Sequence, residues 1–264
     1  QPLLDTLGTS VPVRSLTELY TVLSFLFFNS GRYGEALAAS EQAMALARTL
    51  DDELILARAE VAHGTALQSA GQVAAALPVL TEAMPPLQAA DDLFFLSIAF
   101  NNVARIQAGT GEFDASKALY DRLRETTERL GDPGFTAFSM SNHTWVDFMS
   151  GDWSRARVET ERAATLIRPL GESWYSSYPL AQRGWLGLAE GDWDGATAYL
   201  AEARTVAERR KDLQGLRQAS RLLAELDVLE GRPDAAIARL VPLLDRSGLA
   251  EFDVTYFLPV LAWA

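Results

Sequence analysis

The sequence predicts an all-α fold: a right-handed superhelical solenoid of antiparallel helix pairs, about six and a half repeats of 40 residues. Three observations predict it. Gly31, Gly71, Gly111, Gly151, Gly191 and Gly231 stand 40 residues apart without insertion or deletion, and self-similarity at that period marks a stacked array. Between the glycines, apolar residues recur three and four apart, the periodicity of an amphipathic helix. Small residues hold three fixed phases. Ser24, Gly64, Ala104, Thr144, Gly184 and Ala224 stand seven before a glycine; Ala36, Ala76, Ser116, Ala156, Ala196 and Ala236 stand five after; Ala43, Ala83, Leu123, Ala163, Ala203 and Leu243 stand twelve after. Helix axes about 8–10 Å apart need such residues where they cross.

The elements follow in order from this phase. Helices are expected near 14–30, 33–49, 52–70, 73–89, 92–110, 113–130, 133–150, 153–169, 173–190, 193–210, 212–230, 233–246 and 252–264. One unit shows the logic. The helix over 91–110 ends at Gly111, because a residue without Cβ suits the left-handed conformation that closes a helix. The second helix runs over 113–130, and Gly131-Asp132 opens the next unit. Asp114, Ser154, Asp194 and Asp234 share one phase at the start of second helices, where each is expected to accept from exposed N–H groups and favour the helix dipole. Asp51-Asp52, Asp91-Asp92, Gly131-Asp132, Gly171-Glu172 and Lys211-Asp212 recur at the other joint and read as N-terminal caps of the first helices. Connections this short make neighbouring helices antiparallel.

Prolines mark the irregular units. Pro85-Pro86 and Pro242 are expected to end or kink their helices, since proline removes a donor and clashes with the preceding turn. Pro179 follows the aromatic stretch Trp174-Tyr175-Ser176-Ser177-Tyr178. It reads either as a tolerated kink or late helix start, or as the edge of an aromatic pocket.

Composition limits function. The chain has 264 residues, 48% of them hydrophobic, enough for a sizeable core. Formal net charge is −12, from 35 acidic and 23 basic residues. A nucleic-acid binder presents a basic stripe, so no direct nucleic-acid partner is expected. There are no cysteines, which excludes disulfides, thiolate metal sites and cysteine nucleophiles and fits a reducing cytoplasm. The apolar run Leu23 to Phe28 is far short of the roughly 20 residues that span a bilayer, so no membrane partner is expected. The chain starts Gln-Pro-Leu-Leu and stops inside an apolar run. It is therefore expected to be one repeat domain, residues 1–264, cut from a longer multidomain polypeptide, with apolar surface at its ends.

Catalysis finds no support. His63 and His143 share a phase two repeats apart, so stacking places them roughly 20 Å from each other, too far for one metal. No Gly-rich phosphate loop, zinc motif or nucleophile elbow occurs. No catalytic residue, cofactor or metal is therefore expected.

A small residue, Gly-x-aromatic seven later, Ala five later and Ala seven later again resembles the tetratricopeptide repeat. The joints Leu130-Gly131-Asp132 and Leu170-Gly171-Glu172 look like those of the 40-residue variety in large bacterial regulators. Those are LuxR-type activators related to the maltose-regulon activator, and ATPase-linked cyclases. The resemblance implies that first helices line a concave groove. Carried over by phase, its groove positions are Asn101, Arg105, Phe138, Ser141, Trp145, Tyr178, Trp185 and Arg221, an aromatic and basic strip of the kind that anchors partners. The alternative is that Trp145 and Trp185 pack between helices, as Trp153 and Trp193 are expected to do. The expected function is a non-enzymatic, cytoplasmic binding scaffold of a bacterial signalling or transcription regulator, accepting a peptide, a protein or a small inducer. A spacer or self-association module, and the regulatory array of a nucleotide cyclase, are the alternatives.

Overall fold

A computed structural model describes residues 11–173, 175–244 and 251–264. Trp174 and the expected helix residues 245–246 lie outside them. The described residues are mostly helical, with no strand among them. Helices α1 (Val13–Asn29), α2 (Tyr33–Ala47), α3 (Glu53–Ser69), α4 (Val73–Ala89), α5 (Leu93–Gly109), α6 (Phe113–Leu130), α7 (Pro133–Met149) and α8 (Trp153–Ile167) are followed by a 3-10 turn, Arg168–Leu170. Then come α9 (Ser177–Glu190), α10 (Trp193–Arg210), α11 (Leu213–Leu229), α12 (Pro233–Leu240), a 3-10 turn Val241–Leu243, α13 (Phe252–Thr255) and α14 (Phe257–Trp263). The chain divides into two compact units, Gln1–Val103 and Ala104–Ala264, with the division inside α5.

Each unit is a stack of helix pairs. In the first, α1 packs on α2, α3 on α4, and the first helices α1 and α3 on each other. In the second, α7 pairs with α8, α9 with α10 and α11 with α12, while α7, α9 and α11 form the inner row.

The small phases are where the helices touch. Ala36, Ala76, Ser116, Ala156, Ala196 and Ala236 are fully buried. Ser24 Oγ donates to Ala36 O at 2.9 Å, and Ser116 Oγ to Ala104 O at 2.8 Å, so hydroxyls substitute for methyls by bonding across the crossing. At Gly184 a Cβ would stand 2.5 Å from Leu200 Cγ and 3.2 Å from the Ala196 carbonyl oxygen. Backbone and Leu200 already fill the space.

The turns bear out the capping expectation at four of the five first-helix joints, Glu172 standing ahead of a helix that starts only at Ser177, and move it at the second helices. Asp52, Asp92, Asp132 and Asp212 accept from the amides of Ile55, Phe95, Phe135 and Gly215 at 2.9–3.3 Å. At the second helices the cap lies two residues earlier than expected: Asp152 accepts from Arg155 N at 3.2 Å and Asp192 from Gly195 N at 3.1 Å. Asp114, Asp194 and Asp234 sit inside the first turn, where they favour the dipole and are not the N-cap residue.

Two proline expectations divide. Pro242 lies in the 3-10 turn after α12 ends at Leu240. By contrast α4 runs on through Pro78, Pro85 and Pro86 to Ala89. Leu80, Ala83 and Leu87 on its other face are fully buried, and that burial outweighs the lost backbone bonds. Helix α9 starts late, at Ser177, so Pro179 falls in its first turn, where a missing N–H costs nothing. Trp153 and Trp193, expected between helices, are instead 42% and 39% exposed at the turns. Each opens a second helix and projects from its first turn.

Two joints before first helices are left-handed without glycine: Lys211 has φ +56 and Asp91 has φ +53. A residue with a Cβ is strained there. Lys211→Gly is expected to raise stability by about 0.5–1 kcal/mol in urea unfolding. Gly184→Ala is expected to lower it by about 1–3 kcal/mol through overpacking. Urea midpoints measured side by side check both signs.

Candidate functional site

The second unit holds a cavity of about 140 Å³ on its inner row of helices. Its walls come from α5, α7, α9 and α11, because residues six and thirteen before each glycine turn toward the same face of successive first helices. Six of the eight expected residues line it: Arg105, Phe138, Trp145, Tyr178, Trp185 and Arg221. Phe138 meets Tyr178 edge to face at 4.7 Å, and Trp185 lies 4.1 Å from Phe148. Trp185 therefore packs and lines at once. Trp145 is half-buried on the cavity wall.

The other two expected residues lie elsewhere. Ser141 is buried, with Oγ donating to Ala137 O at 2.9 Å and its carbonyl accepting from Gln182 Nε2 at 2.8 Å. Asn101 belongs to the first unit and is buried, its amide 3.3 Å from Asn102 Oδ1. Of the residues ten before a glycine, Asn101 and Ser141 thus turn into the helix packing, whereas Arg221 lines the cavity. In a 40-residue unit with long first helices, the family's phase does not transfer at those two residues.

Sequence reasoning missed a second set. Asn142 and Gln182, nine before their glycines, line the cavity, as do Gln214 and Arg217. The phase shared by Asn142 and Gln182 was a signal in the repeat. Phe252, Asp253, Tyr256 and Phe257 complete the lining; nothing periodic pointed to them. Tyr120, from the second helix α6, reaches it too, fully buried and with no partner for its hydroxyl.

Charge in the cavity is mostly positive. Arg105 lies 3.9 Å from Asp253 and holds the Phe252 ring 5.2 Å from its guanidinium carbon. Arg217 pairs with Glu251 at 2.5 Å and donates to Leu243 O at 3.2 Å. Arg221 pairs with Glu225 at 3.3 Å; burial lowers its pKa despite that carboxylate. The buried Asp212 beside the cavity accepts from Ser177 Oγ at 3.0 Å and caps α11, and burial raises its pKa against those bonds.

Behind Tyr120 lies a polar cluster. His143 stacks on Tyr120 at 5.4 Å and sits 3.7 Å from the fully buried Asp147, which Lys117 Nζ meets at 3.1 Å and Arg155 Nε at 3.3 Å. Burial, then Arg155, push His143 down to about 4. Burial pushes Asp147 up. His63, in the first unit, lies 3.0 Å from Ser40 Oγ, and burial lowers its pKa too. Among the described residues no group of acidic or histidine side chains is arranged to hold a metal ion.

No family model matches the chain, and no curated protein sequence matches it. Solved structures do. A Rap protein complexed with Competence and Sporulation Factor superposes with TM-score 0.71 at 14% identity, over 99% of this chain and 78% of that one. The Rap conjugation gene regulator of the plasmid pLS20, in complex with the Phr* peptide, gives 0.66 at 13%, over 91% and 71%. A kinesin light chain of Podosopora anserina with nearly identical TPR-like repeats gives 0.56 at 16%, over 75% and 98%. The fold is tetratricopeptide-like. At these identities the likeness concerns the fold alone.

His143 gives the site a pH signature. Its folded pKa lies below the ordinary 6.5, so the unfolded chain binds the proton first as pH falls. The stability held above about pH 6.5 is therefore lost between that value and about 4. Asp147, shifted up, acts in the opposite sense and is present in both proteins compared. Between pH 7.5 and pH 5, the parent should lose about 2 kcal/mol more than His143→Gln in urea unfolding. Equal losses would mean that His143 is not held neutral.

Proposed function

We propose that this chain is a non-enzymatic, cytoplasmic regulatory scaffold of a bacterial signalling or transcription regulator, and that the groove of its second unit receives a peptide segment of a protein partner. The observation that carries this is the cavity itself. Trp145, Trp185, Phe138 and Tyr178 line it beside Arg105, Arg217 and Arg221, and aromatics with arginine are the side chains that dominate binding surfaces. Its 140 Å³ is below the roughly 300–1,000 Å³ of small-molecule sites. That size favours one or two anchoring side chains of a peptide over a whole inducer. The peptide-bound state of a fold neighbour, the pLS20 regulator with Phr*, supports the same choice. The regulator class rests on the resemblance of the 40-residue unit and its joints. The lack of cysteine supports the reducing compartment.

Peptides selected from a random displayed library on the 264-residue chain test the reading. They should bind the parent and lose at least tenfold in affinity for Trp145→Ala, the cost of removing an anchoring aromatic. Circular dichroism should show unchanged helix content. Unaltered affinity would move binding off the groove.

A further inference from the structure

The groove is already partly filled by the chain's own residues. Helix α13 has only four residues, Phe252–Thr255, where every earlier first helix has at least fourteen. It packs on α11 and α14. Two of its side chains nevertheless address Arg105 of α5, whose repeat lies more than a hundred residues earlier. The Phe252 ring faces the guanidinium at 5.2 Å, and the Asp253 carboxylate lies 3.9 Å from it. Tyr256 closes on Phe252 edge to face at 5.4 Å. Glu251, just ahead, takes Arg217 at 2.5 Å.

Charge says what this segment stands in for. The whole chain carries −12, yet the described lining of the cavity holds Arg105, Arg217 and Arg221 and one carboxylate, Asp253. With Asp253 withdrawn, the lining is wholly cationic in its ionised groups. The hold on Arg105 is long. Its part-buried pair with Asp253 stands at 3.9 Å, so a carboxylate at shorter range can replace this one. Tyr120 supplies a further anchor: its buried hydroxyl has no partner while the segment is in place.

We propose that residues 251–256 act as a tethered stand-in ligand, and that the groove's partner is a peptide segment with an aromatic residue beside an acidic one, which displaces them. Arg105 is the specificity-determining residue. Its planar cation takes the aromatic face and the carboxylate of one dipeptide, and Trp145 and Trp185 hold the flanking side chains. This rests on the groove reading above.

A fluorescein-labelled hexapeptide Glu-Phe-Asp-Val-Thr-Tyr, the sequence of 251–256, is the probe, and fluorescence anisotropy is the readout. While the tethered copy competes, only a fraction of molecules is open, and apparent affinity falls by that fraction. Phe252→Ala/Asp253→Asn should therefore bind the probe roughly tenfold tighter than the parent. Asp253→Asn alone, which removes no packing, should shift in the same direction by a smaller factor. Adding Arg105→Gln should abolish the gain, and a probe with Asp changed to Asn should bind the released chain at least tenfold more weakly than the Asp probe does. Equal binding to parent and released chains, or a gain that survives Arg105→Gln, would overturn the proposal. If library-selected peptides depend on Trp145 while neither the probe nor the release variants alter their binding, the stand-in fails and the groove reading holds. If no selected peptide depends on Trp145, the groove reading fails by itself.

Discussion

Close approach of helices at alanine is the constraint on which the remainder of the structure rests. Ala36, Ala76, Ala156, Ala196 and Ala236 keep no exposed surface, and opposite them stand residues no larger than threonine. Two backbones meet only where neither carries bulk. That fixes the spacing of each pair, and the spacing fixes which side chains of the first helices face the groove. Gly184 sets the limit, since even a methyl group there would intrude on Leu200 and on the Ala196 carbonyl. The Trp185 wall of the cavity is placed by this same contact, one residue further along α9.

The fold was legible because its determinants are local and repeated. Gly111 and Gly191 take φ +85 and +84, as a helix-ending glycine should, and Asp132 and Asp212 cap the helices they precede. Burial over a whole face is less legible. Helix α4 survives three prolines because Leu80, Ala83 and Leu87 outweigh them, and no window of sequence shows that balance. The groove was legible where one phase recurs, as in Trp145 and Trp185. It was lost at Asn101 and Ser141, which share a phase with Arg221 and yet turn into the packing. Phe252 and Asp253 could not be read at all. Their meeting with Arg105 depends on how many repeats bring the chain back to that point, a long-range quantity that periodicity does not carry.

The site mixes two kinds of polar group with different uses. Asp212 is buried but fully engaged, capping α11 and accepting from Ser177, so it stiffens the wall. His143 and Asp147 are buried behind Tyr120 among Lys117 and Arg155, where desolvation opposes charge on both. An isosteric apolar cluster would cost less to bury. What the polar cluster adds is direction: it holds the Tyr120 ring by stacking while the hydroxyl faces the cavity lining.

The prolines of α4 have a consequence for how the first unit comes apart. A helix that lacks the amide protons of residues 78, 85 and 86 leaves carbonyls one turn earlier without their usual donors. Its hydrogen-bond ladder is too sparse to propagate alone, so its order is borrowed from α3 through Leu80 against Gly64. Such a helix is a dependent layer, whose order rests on packing against its neighbour more than on its own hydrogen bonds. The array is uniform in its period and uneven in its cooperativity, with a seam of low autonomy built in at its second repeat.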